Sequence, residues 1–180
     1  MVDRIILVGM MGAGKTTVGR GLADRLGWRH CDSDAQVVAR TGRTVPELFA
    51  ERGEDAFRAE ESRVLAEALS SEEPVVVSAA GGVVLSSSNR DLLTNSGIVV
   101  WLRADPALLA RRLGSGTGRP LLDGDPASNL IDLDAVRRPL YQAVADVAVD
   151  VDGLTPGEVV DRVLSQQQVV ARGIENGEVR

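Results

Sequence analysis

Apolar residues along this chain follow two alternating rhythms. Residues 5–8 form an unbroken apolar run that ends in Gly9, and over 15–26 Val18, Leu22, Ala23 and Leu26 then recur at helical spacing. This pattern predicts strand, glycine loop, helix. Further strands are expected at 28–31, at 75–77 after Pro74, at 98–102 and at 147–149, where β-branched residues suit a buried parallel strand. Helical patterns lie near 34–40, 45–50, 55–69, 106–113 and 135–145, and another helix opens with Ser86 to Ser88. Thr155 as a cap and Pro156 at a first helical position start a last helix, to about residue 170. Strands alternating with helices argue for an α/β fold, a parallel sheet covered on both faces. Residues 114–125, rich in glycine, form the expected flexible insert, and the polar residues 171–180 are expected to be a disordered tail.

Composition narrows the possibilities. A chain of 180 residues, 44% hydrophobic and 26% charged, suits a single domain over 1–170 with a packed core. Its net charge of −6 disfavours nucleic acid as main partner, so any anion must be held locally. A single cysteine, Cys31, excludes a disulfide framework within the chain and points to a reducing compartment, the cytoplasm. No apolar run reaches the ~20 residues of a membrane span, and no secretory leader is evident. Of the 20 basic residues, 19 are arginine and one is lysine, Lys15. That exception asks for a local reason.

The reason lies in Gly9-Met10-Met11-Gly12-Ala13-Gly14-Lys15-Thr16, which matches the Walker A pattern in its required setting between strand and helix. Backbone N–H groups from Gly12 to Thr17 and the helix N-terminus would face phosphate oxygens, Lys15 would supply a compact charge, and the Thr16 hydroxyl would reach Mg²⁺. By composition alone the four fixed positions arise in about one chain of this length in a hundred or fewer.

Other candidate groups cluster after the remaining strands. Nucleotidases of this kind often end an apolar strand in Asp beside the metal, but the run 75–77 ends in Ser78. The replacement is Asp32 with Asp34, which project to the same side of an extended chain; Asp32 or Ser33 as a plain helix cap is the alternative. Arg58 and Glu61 lie three apart on one helix and can pair. Ala80-Gly81-Gly82 forms a backbone-rich turn at the carboxyl edge of the sheet, and Arg112, Arg119 and Arg137 surround the insert.

Together these motifs resemble the shikimate kinase family, over about residues 5–164. Beside the Walker A residues, the resemblance rests on Asp32-Ser33-Asp34, Gly53-Glu54 leading to Phe57-Arg58 and Glu61, Ala80-Gly81-Gly82, Arg119-Pro120-Leu121-Leu122 and Arg137-Arg138-Pro139-Leu140-Tyr141. It implies a three-layer fold like that of P-loop nucleoside monophosphate kinases, a five-stranded parallel sheet of order 2-3-1-4-5, and a lid at about 114–125. It also implies transfer from MgATP to the 3-hydroxyl of shikimate. By position, Asp34 would hold the acceptor hydroxyl and help take its proton, Arg58 and Arg137 would grip the acceptor carboxylate, and Gly81 and Gly82 would line its ring. Phe49, Phe57 and Glu61 would shape that pocket. Asp32 and Thr16 would support Mg²⁺, Arg119 would reach the phosphates, and Arg112 and Pro156 would flank the adenine.

The chain departs from the family pattern at Ala80, where a third glycine is usual; a positive φ there would strain the acceptor loop. Shikimate and ATP are thus the expected partners, with a monomer as working unit. A kinase for another sugar acid such as gluconate and a non-catalytic nucleotide-binding module are the alternatives.

Overall fold

The computed structural model describes residues 3–114 and 118–175, with residues 168–175 as backbone only. Five strands, β1 (Arg4–Val8), β2 (Arg29–Asp32), β3 (Val75–Ser78), β4 (Ile98–Arg103) and β5 (Val147–Asp150), form one sheet of order β2-β3-β1-β4-β5. Every neighbouring pair is parallel. The carboxyl ends of the strands therefore share one edge. The three inner strands are buried nearly end to end, whereas the edge strands β2 and β5 keep exposed positions. This burial explains why the inner strands read as unbroken apolar runs.

Among the described residues seven α-helices accompany the sheet: α1 (Lys15–Leu26), α2 (Ser33–Thr41), α3 (Val45–Leu69), α4 (Ser87–Ser96), α5 (Pro106–Leu113), α6 (Pro126–Val144) and α7 (Pro156–Glu175). Helices α1 and α7 pack together on one face, while α4 meets both α3 and α6 on the other. The layers and strand order are those implied by the resemblance.

Local chemistry sets the boundaries. Ser86, in the serine run without an assigned role, caps α4 by accepting from the Asn89 amide at 3.4 Å. Helix α6 begins nine residues earlier than its apolar spacing predicted, because Asp125 caps it and Pro126 occupies its first position. The two helical patterns at 45–50 and 55–69 form one run with a kink at Gly53, whose φ of 78° and ψ of 173° suit glycine. Helix α7 reaches Glu175, inside the stretch expected to be tail. Residues 176–180 of that tail, and 115–117 of the expected lid, lie outside the described residues.

The main core spans the sheet and both helical layers. A second small core, made by Val37, Leu48, Phe57 and Val64 with Val45 and Phe49 against it, joins α2 to α3. The α3 residues Val45, Phe49, Phe57, Arg58 and Glu61 line one side of a cleft. Among the described residues no helix is long and apolar enough to cross a membrane.

Candidate active site

The loop between β1 and α1 folds as the Walker A pattern requires. Gly14 caps α1 at φ 92°, and no side chain competes for the first amides of the helix. Lys15 Nζ donates to the carbonyls of Gly9 and Met10 at 2.8 and 3.0 Å, holding the ammonium over the loop. A cavity of about 290 Å³ opens here, lined by Met11, Gly12, Gly14, Lys15, Thr16, Thr17, Asp32, Asp34, Ser78, Ala79, Gly81 and Arg119. Its donors are backbone amides, one ammonium and one guanidinium, a set suited to a polyphosphate.

Asp32 makes two bonds at once, one of them the helix cap expected of it. Its Oδ1 accepts from the Ala35 amide at 3.1 Å and caps α2, while its Oδ2 accepts from the Thr16 hydroxyl at 2.5 Å. A hydroxyl beside a carboxylate at the edge of a phosphate cradle offers hard oxygen donors, the chemistry that suits Mg²⁺ with phosphates and water completing its shell. Ser78 does not substitute for an acid. Its hydroxyl donates to the Lys15 carbonyl at 2.9 Å and lies 2.9 Å from His30 Nε2, tying β3 to the first turn of α1.

A second cavity, of about 260 Å³, adjoins the first and is lined by Phe49, Phe57, Arg58, Glu61, Ala80, Gly82, Arg137 and others. Met11, Asp34, Gly81 and Arg119 line both. Asp34 thus stands where the phosphate cradle opens into the second cavity.

After the Gly53 kink, Glu54, Arg58 and Glu61 follow one face of α3. Arg58 donates from Nε and Nη2 to Glu54 Oε1 at 3.2 and 2.9 Å, and from Nη1 to Glu61 Oε2 at 2.5 Å. Its guanidinium also lies 5.3 Å from the Phe57 ring centre, and Phe57 packs on Phe49 with centres 4.8 Å apart. A side chain at position 82 would collide with Arg58, its Cβ falling 2.0 Å from Nη1, so the guanidinium needs glycine there. Arg137 is buried, and its Nε has no partner among the described residues. A buried donor left without an acceptor is costly, and an anionic ligand would offset that cost.

Ionisation follows burial and charge. Loss of water around its ammonium lowers the Lys15 pKa to about 8, against the pull of Asp34 and Asp32. Part of its side chain stays accessible, but within the phosphate cavity. Dehydration raises the Asp34 carboxyl above its ordinary value, and Lys15 opposes the rise. Asp34 is likewise accessible by area, through the two cavities it lines. Burial lifts Glu61 to about 7 despite its bond to Arg58.

Three expected nucleotide residues stand apart from these linings. Ala13 is buried beneath the loop, Arg112 reaches back to the Gly12 carbonyl at 3.4 Å, and Pro156 opens α7 beside a Thr155–Glu158 capping pair. Ala80 carries no strain, since no described residue other than glycine has positive φ. Sequence reasoning gave Ser33 no role beyond a possible helix cap, and Ser78, His30 and Tyr141 no role of their own. Their bonds span 47 to 63 residues, and no spacing rule exposes such pairs.

Known proteins match this arrangement. Residues 11–168 match the family described as shikimate kinase. A shikimate kinase of Halorhodospira halophila is 46% identical over 92% of this chain and 94% of its own length. The structure of a shikimate kinase from Acinetobacter baumannii in complex with shikimate is similar at a TM-score of 0.89 and 38% identity, over 92% of this chain and 93% of that one. A gluconokinase from Sinorhizobium meliloti shares the fold at a lower TM-score of 0.60 and 26% identity, over 97% and 96%. Family match, identity and shared architecture agree: the chain belongs to the shikimate kinase family, ATP-dependent small-molecule kinases of aromatic amino-acid biosynthesis.

Proposed function

We propose that the two adjoining cavities divide the reaction, the Walker A cavity taking ATP and the cavity under α3 taking shikimate, with Asp34 between them. That junction is the observation that carries the reading. The γ-phosphoryl group passes to the 3-hydroxyl, and the chain's task is to align the two and stabilise spreading charge.

Asp34 accepts a hydrogen bond from the 3-hydroxyl and takes its proton as the new P–O bond forms; its raised basicity favours that role. Arg58 and Arg137 hold the acceptor carboxylate, whose planar oxygens suit guanidinium forks. Glu61 and Glu54 fix the rotamer of Arg58, and Phe49 and Phe57 wall the ring. The amides of Gly81 and Gly82 face the acceptor, and Lys15 and Arg119 face the phosphates. Thr16 and Asp32 would hold Mg²⁺, which when bound neutralises charge on the phosphate oxygens.

Arg112 and Pro156 remain assigned to the adenine, which would lie outside the phosphate cavity. The stretch 114–125 is read as a lid, on the strength of Arg119, Pro120 and Leu121 in the acceptor wall. The working unit is taken as one chain, since a single chain lines both cavities. The buried, unpaired thiol of Cys31 supports a cytoplasmic setting.

The test is an ATP-coupled assay with shikimate, with gluconate and with no acceptor. Turnover with shikimate alone is expected; faster turnover with gluconate, or equal ATP hydrolysis without acceptor, would overturn the assignment.

A further inference from the structure

The acceptor loop is held by two hydroxyls for which phosphoryl transfer itself has no use. Ser33, in the first turn of α2, accepts the Ala80 N–H at 2.7 Å. Tyr141, on α6, donates its phenolic O–H to the Gly81 carbonyl at 2.6 Å. Both residues are fully buried. Among the described residues, neither the Gly81 nor the Gly82 amide donates a hydrogen bond within the protein, although both residues line the acceptor cavity.

Peptide geometry connects these facts. A trans peptide is planar, with its N–H antiparallel to its C=O, and no described bond is cis. Drawing the Gly81 carbonyl toward a tyrosine inside the core therefore turns the Gly82 N–H outward. Holding the Ala80 N–H on Ser33 fixes the plane that enters the loop. Two glycines in sequence carry no side chains to restrain them, and the remaining backbone bonds of the turn, from the Val83 amide to the Ala80 carbonyl at 3.2 Å and from the Leu85 amide to the Gly82 carbonyl at 3.0 Å, leave the Gly81–Gly82 plane to Tyr141.

Tyr141 is itself held. Its ring stacks on Trp101 with centres 6.0 Å apart, and burial raises its pKa, so the phenol remains a donor throughout the working range. A Cβ placed on Gly81 would lie 3.4 Å from the Tyr141 oxygen, 3.4 Å from Arg137 Nη1 and 3.3 Å from the Gly9 carbonyl. The loop is thus seated between the phosphate cradle and the acceptor cation, where a small rotation would displace its amides.

We propose that Tyr141 and Ser33 are positioning residues for the acceptor, fixing the Gly81–Gly82 and Ala79–Ala80 peptide planes so that the unused Gly82 amide is aimed into the cavity before shikimate arrives. The bond from the Val83 amide to the Ala80 carbonyl at 3.2 Å sets the Gly81 amide between them. The proposal rests on the reading of that cavity as the acceptor site. It also accounts for Ala80: the amide there is already spent on Ser33, so alanine costs no acceptor contact and removes backbone freedom that glycine would add.

The experiment compares Tyr141→Phe, Ser33→Ala, Ser33→Thr and, as control, Arg58→Ala. It measures kcat, the KM for shikimate, the KM for MgATP and the thermal midpoint of each. Tyr141→Phe and Ser33→Ala are each expected to raise the shikimate KM about 5- to 20-fold, the scale of one lost buried hydrogen bond, with the MgATP KM within about two-fold. Ser33→Thr keeps the hydroxyl and should recover most of the loss. A merely structural role would lower the midpoint without this split.

A shikimate KM within two-fold of wild type for either variant overturns the proposal, as does an equal rise in both KM values. If Arg58→Ala also leaves the shikimate KM unchanged, the acceptor-site reading has failed instead. Should Tyr141→Phe not fold, the Ser33 pair carries the same test.

Discussion

One carboxylate, that of Asp32, joins two structures: Oδ2 accepts the Thr16 hydroxyl at 2.5 Å while Oδ1 caps α2 through the Ala35 amide at 3.1 Å. The two roles can be separated because asparagine caps helices about as well as aspartate but carries no charge. Asp32→Asn should leave stability within about 0.5 kcal/mol and lower kcat/KM for MgATP by about 10-fold or more. Asp32→Ala should lose the cap as well, at about 1 kcal/mol. Thermal melts beside kinetics check this, and an Asp32→Asn enzyme with normal MgATP kinetics would remove the metal role.

Asp34 lines both cavities, so its loss should act on transfer more than on binding. Asp34→Asn keeps the shape and a hydrogen-bonding side chain but cannot take a proton. The expected fall in kcat is roughly 10²- to 10⁴-fold, the usual worth of a general base, with ATP affinity within a few-fold. Nucleotide titration of the variant decides it; a matching loss of ATP binding would move Asp34 into the phosphate site.

Lys15 supplies a pH signature. With its pKa lowered to about 8, the ammonium of the free enzyme loses its proton above that pH and with it the attraction for phosphate. Because kcat/KM reports the free enzyme, its value for ATP should fall with a basic limb near pH 8. Bound phosphates hold the proton on Lys15, so kcat should stay level to higher pH. Profiles from pH 6 to 10 test this, and a kcat/KM for ATP that is flat through pH 9.5 would contradict it.

The parts of this fold written in local pattern were legible in the sequence, and those made by distant contacts were not. The strands appeared as apolar runs because β1, β3 and β4 are covered on both faces. The Walker A loop was legible because each fixed residue answers to one backbone or phosphate requirement. The start of α6 was missed although Asp125-Pro126 signalled it, since the glycine-rich insert before it and the acidic residues after it obscured the apolar spacing. Ser78 looked like a missing acid; only the folded chain brings its hydroxyl to the Lys15 carbonyl and His30. Ser33 and Tyr141 stood in recognisable motifs, but their bonds to the acceptor loop were hidden for the same reason, each reaching 47 or 60 residues away.

Glu61 links the acceptor site to stability. Its carboxyl is 3% exposed, bonded to Arg58 and raised from 4.5 to about 7 by burial. Between those values the folded protein holds a proton that the unfolded chain has released. The stabilisation from that proton is complete below pH 4.5 and is lost as pH rises to about 7. A shift of this size corresponds to a loss on the order of 3 kcal/mol, because one pKa unit is worth about 1.4 kcal/mol. Glu61→Gln has nothing to titrate, so the difference in unfolding free energy between wild type and variant should move against wild type between pH 5 and pH 8. Denaturant titrations at the two pH values measure that difference, and because other groups cancel in it, a constant difference would mean that Glu61 is already ionised beside Arg58 at pH 5.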